Sequence, residues 1–462
     1  MYEPRRLVRP ALRAVLSPSL RSELRVTLAL ALPAVAQGLL LTLVFLVDRV
    51  MLGRYSAEAL ASLQVAGPLV WTLQSVFGAF SSGTVAVVGR SVGARDPVAA
   101  SSALRGSLAL ALGLGGAVAL VTTATLTPLL GLLGGAAGPA VLAEARGYLA
   151  VLLPATPLIF VGVATTTAMQ AAGDTRTPLF LAVLANVVNL IGNWLLIFGS
   201  AGAPRLGAQG AALASSTALG LEALLGVVLL ARSEAPVRWR GVAGASTLAG
   251  VRRVLQVASG AFGERTIYHA GYLVYVRLIN SLGPASMAAH QVLLSIESVS
   301  FLSADGFAVA AGAQVSQRLG AGDPTGARRA GFLSAGLSAS LLTGVAAAML
   351  VFPEALIRLF RDDPALVAIG APALRAGALV QLPMAVSIVL AQSLRAAGAT
   401  REALAVAFAG SLGVRIPATY LLGVVSGWGL LGVWLGSGCD WIVRMGLVLW
   451  RWGRGRWAQT RV

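Results

Sequence analysis

The chain reads as an all-α membrane protein of about 12 transmembrane helices, arranged as two six-helix lobes related by a pseudo-twofold axis. Three observations predict this. Of its 462 residues, 57% are hydrophobic and only 11% charged, whereas a water-soluble domain needs roughly 25% charged residues to cover its surface. Apolar stretches of about 20 residues, the length that crosses a bilayer, recur along the whole chain, and no gap between them could fold as a sizeable soluble domain. Finally, the sequence repeats itself.

The spans are placed near 26–47, 60–88, 101–124, 147–170, 178–199 and 208–231, then 254–281, 287–315, 331–352, 370–394, 403–424 and 429–450. The organisation that follows is a basic arm at 1–25, an N-terminal lobe at 26–231, a linker at 232–253, a C-terminal lobe at 254–451 and a tail at 452–462. The first span lies behind the arm and outruns the roughly 7–15 apolar residues of a signal peptide, so it is expected to stay in the mature protein. Prolines Pro33, Pro154, Pro157 and Pro383 fall within spans, where each removes a backbone hydrogen bond and favours a kink.

The net charge of +17 comes from arginine alone, for the chain has no lysine. With both ends in the cytoplasm, 24 of the 35 arginines fall on the arm, the inner loops, the linker and the tail. That bias is the positive-inside rule, so the charge reports topology in a bacterial inner membrane rather than a nucleic-acid partner. The single cysteine, Cys439, is expected to be buried in the last span and offers neither a disulfide nor a cysteine metal site.

The repeat is visible at the turns. Gly93-Ala94-Arg95-Asp96-Pro97 returns as Gly320-Ala321-Gly322-Asp323-Pro324, a displacement of 227 residues that also carries Gln64 onto Gln291. Gln170-Ala171-Ala172-Gly173-Asp174-Thr175-Arg176 matches Arg395-Ala396-Ala397-Gly398-Ala399-Thr400-Arg401 at 225. Six spans per copy is an even number, so both copies enter the membrane the same way and are parallel repeats about an axis along the membrane normal. Such duplications place a binding cavity between lobes that rock to expose it alternately.

Six ordered motifs resemble one family. Val47-Asp48-Arg49-Val50-Met51-Leu52-Gly53, followed by Glu58-Ala59-Leu60-Ala61, resembles the opening signature of the multidrug and toxic compound extrusion (MATE) transporters. Leu282-Gly283-Pro284, Ala288-Ala289-His290-Gln291 and Gln317-Arg318-Leu319-Gly320-Ala321-Gly322-Asp323 resemble its second half, and Arg415-Ile416-Pro417-Ala418 with Gly429-Leu430-Leu431-Gly432-Val433-Trp434 its last two helices. The resemblance covers roughly residues 25 to 450. It implies a V-shaped pair of lobes that exports organic, often cationic and amphiphilic, compounds or drugs in exchange for inward protons or sodium ions. Lipid-linked saccharide flippases of the same superfamily are the rival reading.

A carboxylate near the bilayer centre costs about 2.5–3.5 kcal/mol, so each asks for a function or a partner. Six are expected there: Asp48, Glu222, Glu264, Glu297, Asp305 and Asp440. Asp48, amid Leu46, Val47 and Val50, could load and unload a proton; the alternative is neutralisation by Arg49. In the family the acid at this motif position is implicated in cation coupling, and many members resemble this chain in having a glutamate at Glu264. The repeat places Glu264 opposite Gln37, and an ion pair is the other reading for it. Glu297 and Asp305 lie a little over two turns apart, on nearly one face, and are candidate substrate counter-ions or hydrogen-bonded structural groups. Asp440 and Arg444 are four apart and read as a self-neutralised pair. Glu222 has no sequence-level account.

Asn186, Asn189 and Asn193 form a polar stripe that either lines the N-terminal cavity or knits helices together. With Gln37, Gln291, Glu297 and Asp305 they complete the expected lining. Archaeal-type members have an aspartate where Asn193 stands, and some sodium-type members have an acid where Met384 stands, so protons are the expected coupling ion and sodium the alternative. His290 is expected to cap or pack. No cofactor or metal is expected, and two scattered histidines with no nucleophile or metalloprotease motif speak against an enzyme. The expected partners are the lipid bilayer and small organic cations, acting on a monomer.

Overall fold

Backbone polar groups have no water partner inside a bilayer, so a spanning chain of this composition must satisfy them within helices. A computed structural model, described here over residues 18–135, 137–232 and 237–460, is accordingly helical and contains no strand among those residues. Twelve spans follow in chain order: α1 (Pro18–Tyr55), α2 (Ala57–Gly93), α3 (Pro97–Ala124), α4 in two pieces (Pro139–Leu152 and Thr156–Ala171), α5 (Arg176–Phe198) and α6 (Gly207–Leu229), then α7 (Thr247–Asn280), α8 (Pro284–Gly320), α9 (Pro324–Val351), α10 (Pro364–Ala396), α11 (Thr400–Val425) and α12 (Gly429–Arg454). Among the described residues nine of these are long and apolar enough to cross a membrane outright, and the two pieces of α4 make a tenth. The charges of α7 and α12 set those two apart. Most of the predicted arm, with linker residues 233–236, lies outside the described residues.

The duplication is exact in the helices on either side of the first repeated turn. Both α2 and α8 have 37 residues, and both α3 and α9 have 28. Each copied Asp-Pro starts a helix in the same way. The carboxylate of Asp96 accepts from the amides of Val98 and Ala99, that of Asp323 from Gly326, and the proline takes the first helical position, where no amide is needed. The residue before each aspartate is left-handed: Gly322 at φ 74° in the second copy, but Arg95 at φ 56° in the first. Glycine relieves the strain there, and arginine carries it.

Helix ends depart from the expected spans. α1 begins at Pro18, inside the predicted arm, and α7 at Thr247, inside the predicted linker. The fourth span is broken, its pieces bent by 56° at residues 153–155; Pro154 stands in the break and Pro157 in the first turn beyond it, each without an amide to donate. Pro33 and Pro383 sit inside helices that run on unbroken. In α11, Ala409–Arg415 and Tyr420–Val425 are π-helical, a form that re-aims side chains and recurs at functional sites.

The lobes meet along α1–α8, α2–α7, α2–α8 and α3–α7. Glycine makes that seam close. Gly89 faces Ser316, Gly93 faces Gln317, Gly320 faces Arg90, and Gly106 faces Gly250, all toward the end of the bundle that carries the two copied turns. Further along, Gly38 lies against Leu302 and Gly306 against Val35. Arg90 ties the same end together, donating to the carbonyl of Thr460 at 2.7 Å, while Gln317 donates to that of Ala171 at 2.7 Å. The tail carrying Thr460 is anchored by Trp457, which stacks on Trp452 at 3.8 Å.

Candidate functional site

Asp48 lies two turns before the end of α1, where that helix packs on α5, and is 9% exposed. Asn193 donates its side-chain amide to Oδ1 of Asp48 and also lies 3.1 Å from Oδ1 of Asn189. Asn189 in turn donates to Oγ of Ser215 on α6 at 2.9 Å. Two of the three predicted asparagines thus link α1, α5 and α6, whereas Asn186 is half-buried and makes no such bond. Tyr148 of α4 packs on the apolar group of Leu52, Ile197 and Ala211, one turn along α1 and α5 from Asp48 and Asn193. Arg49 is exposed and forms no ion pair with Asp48, so among the described residues that carboxylate is bonded to the neutral amide of Asn193. Gln37 accepts from Gln170 of α4 at 3.0 Å.

Glu264 is held differently. Its Oε1 accepts from Arg395 of α10 at 2.8 Å, while its other oxygen is buried without a partner. The adjacent Arg265 is exposed and makes no ion pair with it. The family carry-over expected a coupling carboxyl here; the geometry is the ion pair that stood as the other reading, with Arg395 braced by Gln392 at 2.8 Å. Arg395 stands at the head of the second copied motif, and a search for basic partners would have found it.

Asp440 is fully buried and meets Arg444 one turn away, as the spacing predicted. The sequence reading missed its second partner, Arg415, which reaches it from α11 at 2.7 Å. Both guanidiniums lie over rings, Arg415 at 5.6 Å from Tyr275 and 5.5 Å from Trp441, Arg444 at 5.1 Å from Trp441. Arg444 also donates to Ser411. These contacts share a strongly desolvated charge over several groups.

Glu297 is half-buried and Asp305 exposed, both on α8, and among the described residues neither has an arginine within 4.0 Å. Gln291 is exposed on the same helix. His290 is fully buried with both ring nitrogens unpartnered, packed between Tyr275 at 5.7 Å and Trp434 at 6.0 Å, the packing role expected of it. Cys439 is not buried but exposed on α12. A concavity lined by Phe352, Glu354, Leu359 and Arg375 lies apart from all these carboxyls.

The carboxyls of the two lobes are therefore met differently. In the C-terminal lobe Glu264, Glu297, Asp305 and Asp440 are matched in number by Arg265, Arg395, Arg415 and Arg444. In the N-terminal lobe neither Asp48 nor Glu222 has a cationic partner among the described residues.

The model of the MatE family matches residues 33–195 and 261–421, one segment in each lobe. The chain belongs to the MatE family. Relatives within reach include the probable multidrug resistance protein NorM of Thermotoga maritima, 28% identical over 96% of this chain and 95% of that one. The protein of the same description in Pseudomonas putida is 30% identical over 90% and 91%. Among solved structures, a MATE transporter of Vibrio cholerae superposes with a TM-score of 0.86 at 19% identity, covering 94% of this chain and 97% of that one. A MOP superfamily transporter from Pyrococcus furiosus superposes at 0.87 and 17%, covering 95% and 97%. This MatE chain thus has the two-lobe, twelve-helix fold. Asp48, Asn189, Asn193, Glu264, Arg395 and Arg415 fall inside the matched segments; Ser215, Glu222, Asp440 and Arg444 lie outside them.

Proposed function

We propose that this protein is a multidrug exporter of the bacterial inner membrane that exchanges inward protons for organic, cationic amphiphilic compounds, with both termini cytoplasmic. The family and the printed names of the NorM relatives support the export of drugs. One observation carries the choice of ion and residue: Asp48 is buried and bonded to a neutral amide, with no arginine among the described residues to fix its charge. Such a group changes charge when it binds a proton, and its three-helix network transmits the change to α5 and α6.

Glu297 and Asp305, unpaired on α8, are suited to meet a cationic substrate. Three of the arginines within the C-terminal spans, Arg395, Arg415 and Arg444, are engaged by Glu264 and Asp440 rather than free to meet a pyrophosphate, which favours an exporter over a saccharide flippase. The close seam at the copied turns corresponds to a form shut toward the cytoplasm, and substrate crosses when that seam opens. The test is uptake of ethidium and related cationic dyes into everted vesicles, driven separately by a proton and a sodium gradient. Accumulation driven by protons alone is expected; accumulation driven only by sodium overturns the reading.

A further inference from the structure

Glu222 is a carboxyl inside a span that neither the sequence nor the site above employs. On α6, the exposed side chains Thr217, Leu224 (60% exposed) and Val228 (46%) mark the outer face of the lobe. At about 100° per residue, Glu222 points about 140° away from that face. It lies only about 20° round the helix from Ser215, two turns deeper toward the end that carries the copied turns. One turn beyond Glu222, Gly226 packs on Thr165 of α4. Glu222 therefore projects inward between α4 and α5, on the stripe whose other polar member, Ser215, accepts the bond from Asn189.

The polar groups fall in order of depth. Asp48, Asn193, Asn189 and Ser215 are joined by hydrogen bonds, Asn186 stands one turn further along α5, and Glu222 lies about 10 Å below Ser215 along α6. The buried hydroxyl of Ser216, beside Ser215, has no partner. Around this file the lobe is apolar, with Phe160, Leu219, Ala223 and Val227 packed together.

The elements packed on α6 are α5, both pieces of α4 and, to a smaller extent, α1 and α2. Their ionisable groups are Arg176 on α5; Glu144, Arg146 and Tyr148 on α4; Arg21, Glu23, Arg25, Asp48, Arg49, Arg54 and Tyr55 on α1; and Glu58 and Arg90 on α2. None bonds or pairs with Glu222 among the described residues. Glu144 is taken by the amide of Ala208 at 3.1 Å, and Glu23 by Arg318 at 3.4 Å. A carboxyl inside a span without a partner marks a proton or substrate path before it marks a scaffold.

We infer that Glu222 is a second proton-carrying carboxyl of the N-terminal lobe, which takes up the proton released from Asp48 and passes it toward the end of the bundle that carries the copied turns. This rests on the proton coupling proposed above. In the step, the O–H bond of the Asp48 carboxyl breaks, the O–H bond of the Glu222 carboxyl forms, and water and the hydroxyl of Ser215 carry the proton between them. Asp48 is left anionic and free to hold a cation.

The test compares wild type, Glu222→Gln and Glu222→Asp in reconstituted vesicles, with ethidium as substrate. Proton-driven accumulation is expected to fall at least tenfold in Glu222→Gln, while ethidium binding and exchange at equal pH stay within twofold of wild type. Glu222→Asp keeps more than a third of the driven rate. A Glu222→Gln protein that accumulates ethidium as wild type does across pH 6–8 overturns the inference and leaves the role of Asp48 standing. Equal losses of binding, exchange and driven transport assign Glu222 to packing and also overturn it. A wild type not driven by protons removes the parent reading with it.

Discussion

Replacing Asp48 by asparagine separates coupling from folding. In the structure this carboxylate accepts from Asn193 and, among the described residues, pairs with no arginine, so an asparagine carbonyl at the same place can accept the same bond. Exchanging a charge-assisted bond for a neutral one costs about 1–2 kcal/mol, small against the roughly 5–15 kcal/mol that holds a domain together. No guanidinium is stranded. The energetic consequence for transport is larger. For one proton exchanged per monovalent cation, a pH step of one unit supplies about 1.4 kcal/mol and sustains about a tenfold substrate gradient. The asparagine variant has no proton to exchange at this site, so its gradient should collapse to about one while substrate still exchanges across the membrane. Ethidium accumulation in everted vesicles, read beside thermal unfolding in detergent, checks both halves. A variant that still builds a tenfold gradient, or one that fails to fold, would refute the assignment.

Asp440→Asn should behave in the opposite way: it leaves Arg415 and Arg444 buried side by side, a loss of about 3–5 kcal/mol, and should lower the unfolding temperature by several degrees. The triple variant Asp440→Leu, Arg415→Leu, Arg444→Met should recover most of it. Glu264→Gln leaves Arg395 with only Gln392; adding Arg395→Gln should restore stability, and a double-mutant cycle gives the coupling, expected at about 1–3 kcal/mol. Gly250→Leu places a side chain against the backbone of Ser102 on α3 and should cut transport at least tenfold by wedging the seam, with insertion unchanged on membrane blots. Trp457→Ala removes a ring that is 1% exposed and stacked on Trp452, a loss of about 3–5 kcal/mol of local packing. Limited proteolysis should then cut the tail, which presents Thr460 to Arg90, at least ten times faster.

The twelve spans, their duplication and the likeness to MATE transporters were legible in the chain because each depends on local composition or on residues in fixed order. Bilayer thickness sets the length of an apolar run, and the copied Asp-Pro turns carry their own capping chemistry. Asp48 and the asparagine stripe could be nominated for the same reason, since helical spacing places residues on one face without knowledge of the partner. Partners across helices were another matter. That Asp48 meets Asn193 and not Arg49, that Glu264 takes Arg395 from 131 positions away, and that Arg415 joins Asp440 follow from how helices rotate and pack, which no spacing encodes. Long-range charge pairing belongs to the tertiary structure because desolvation makes a buried charge seek whatever opposite group the fold brings within reach.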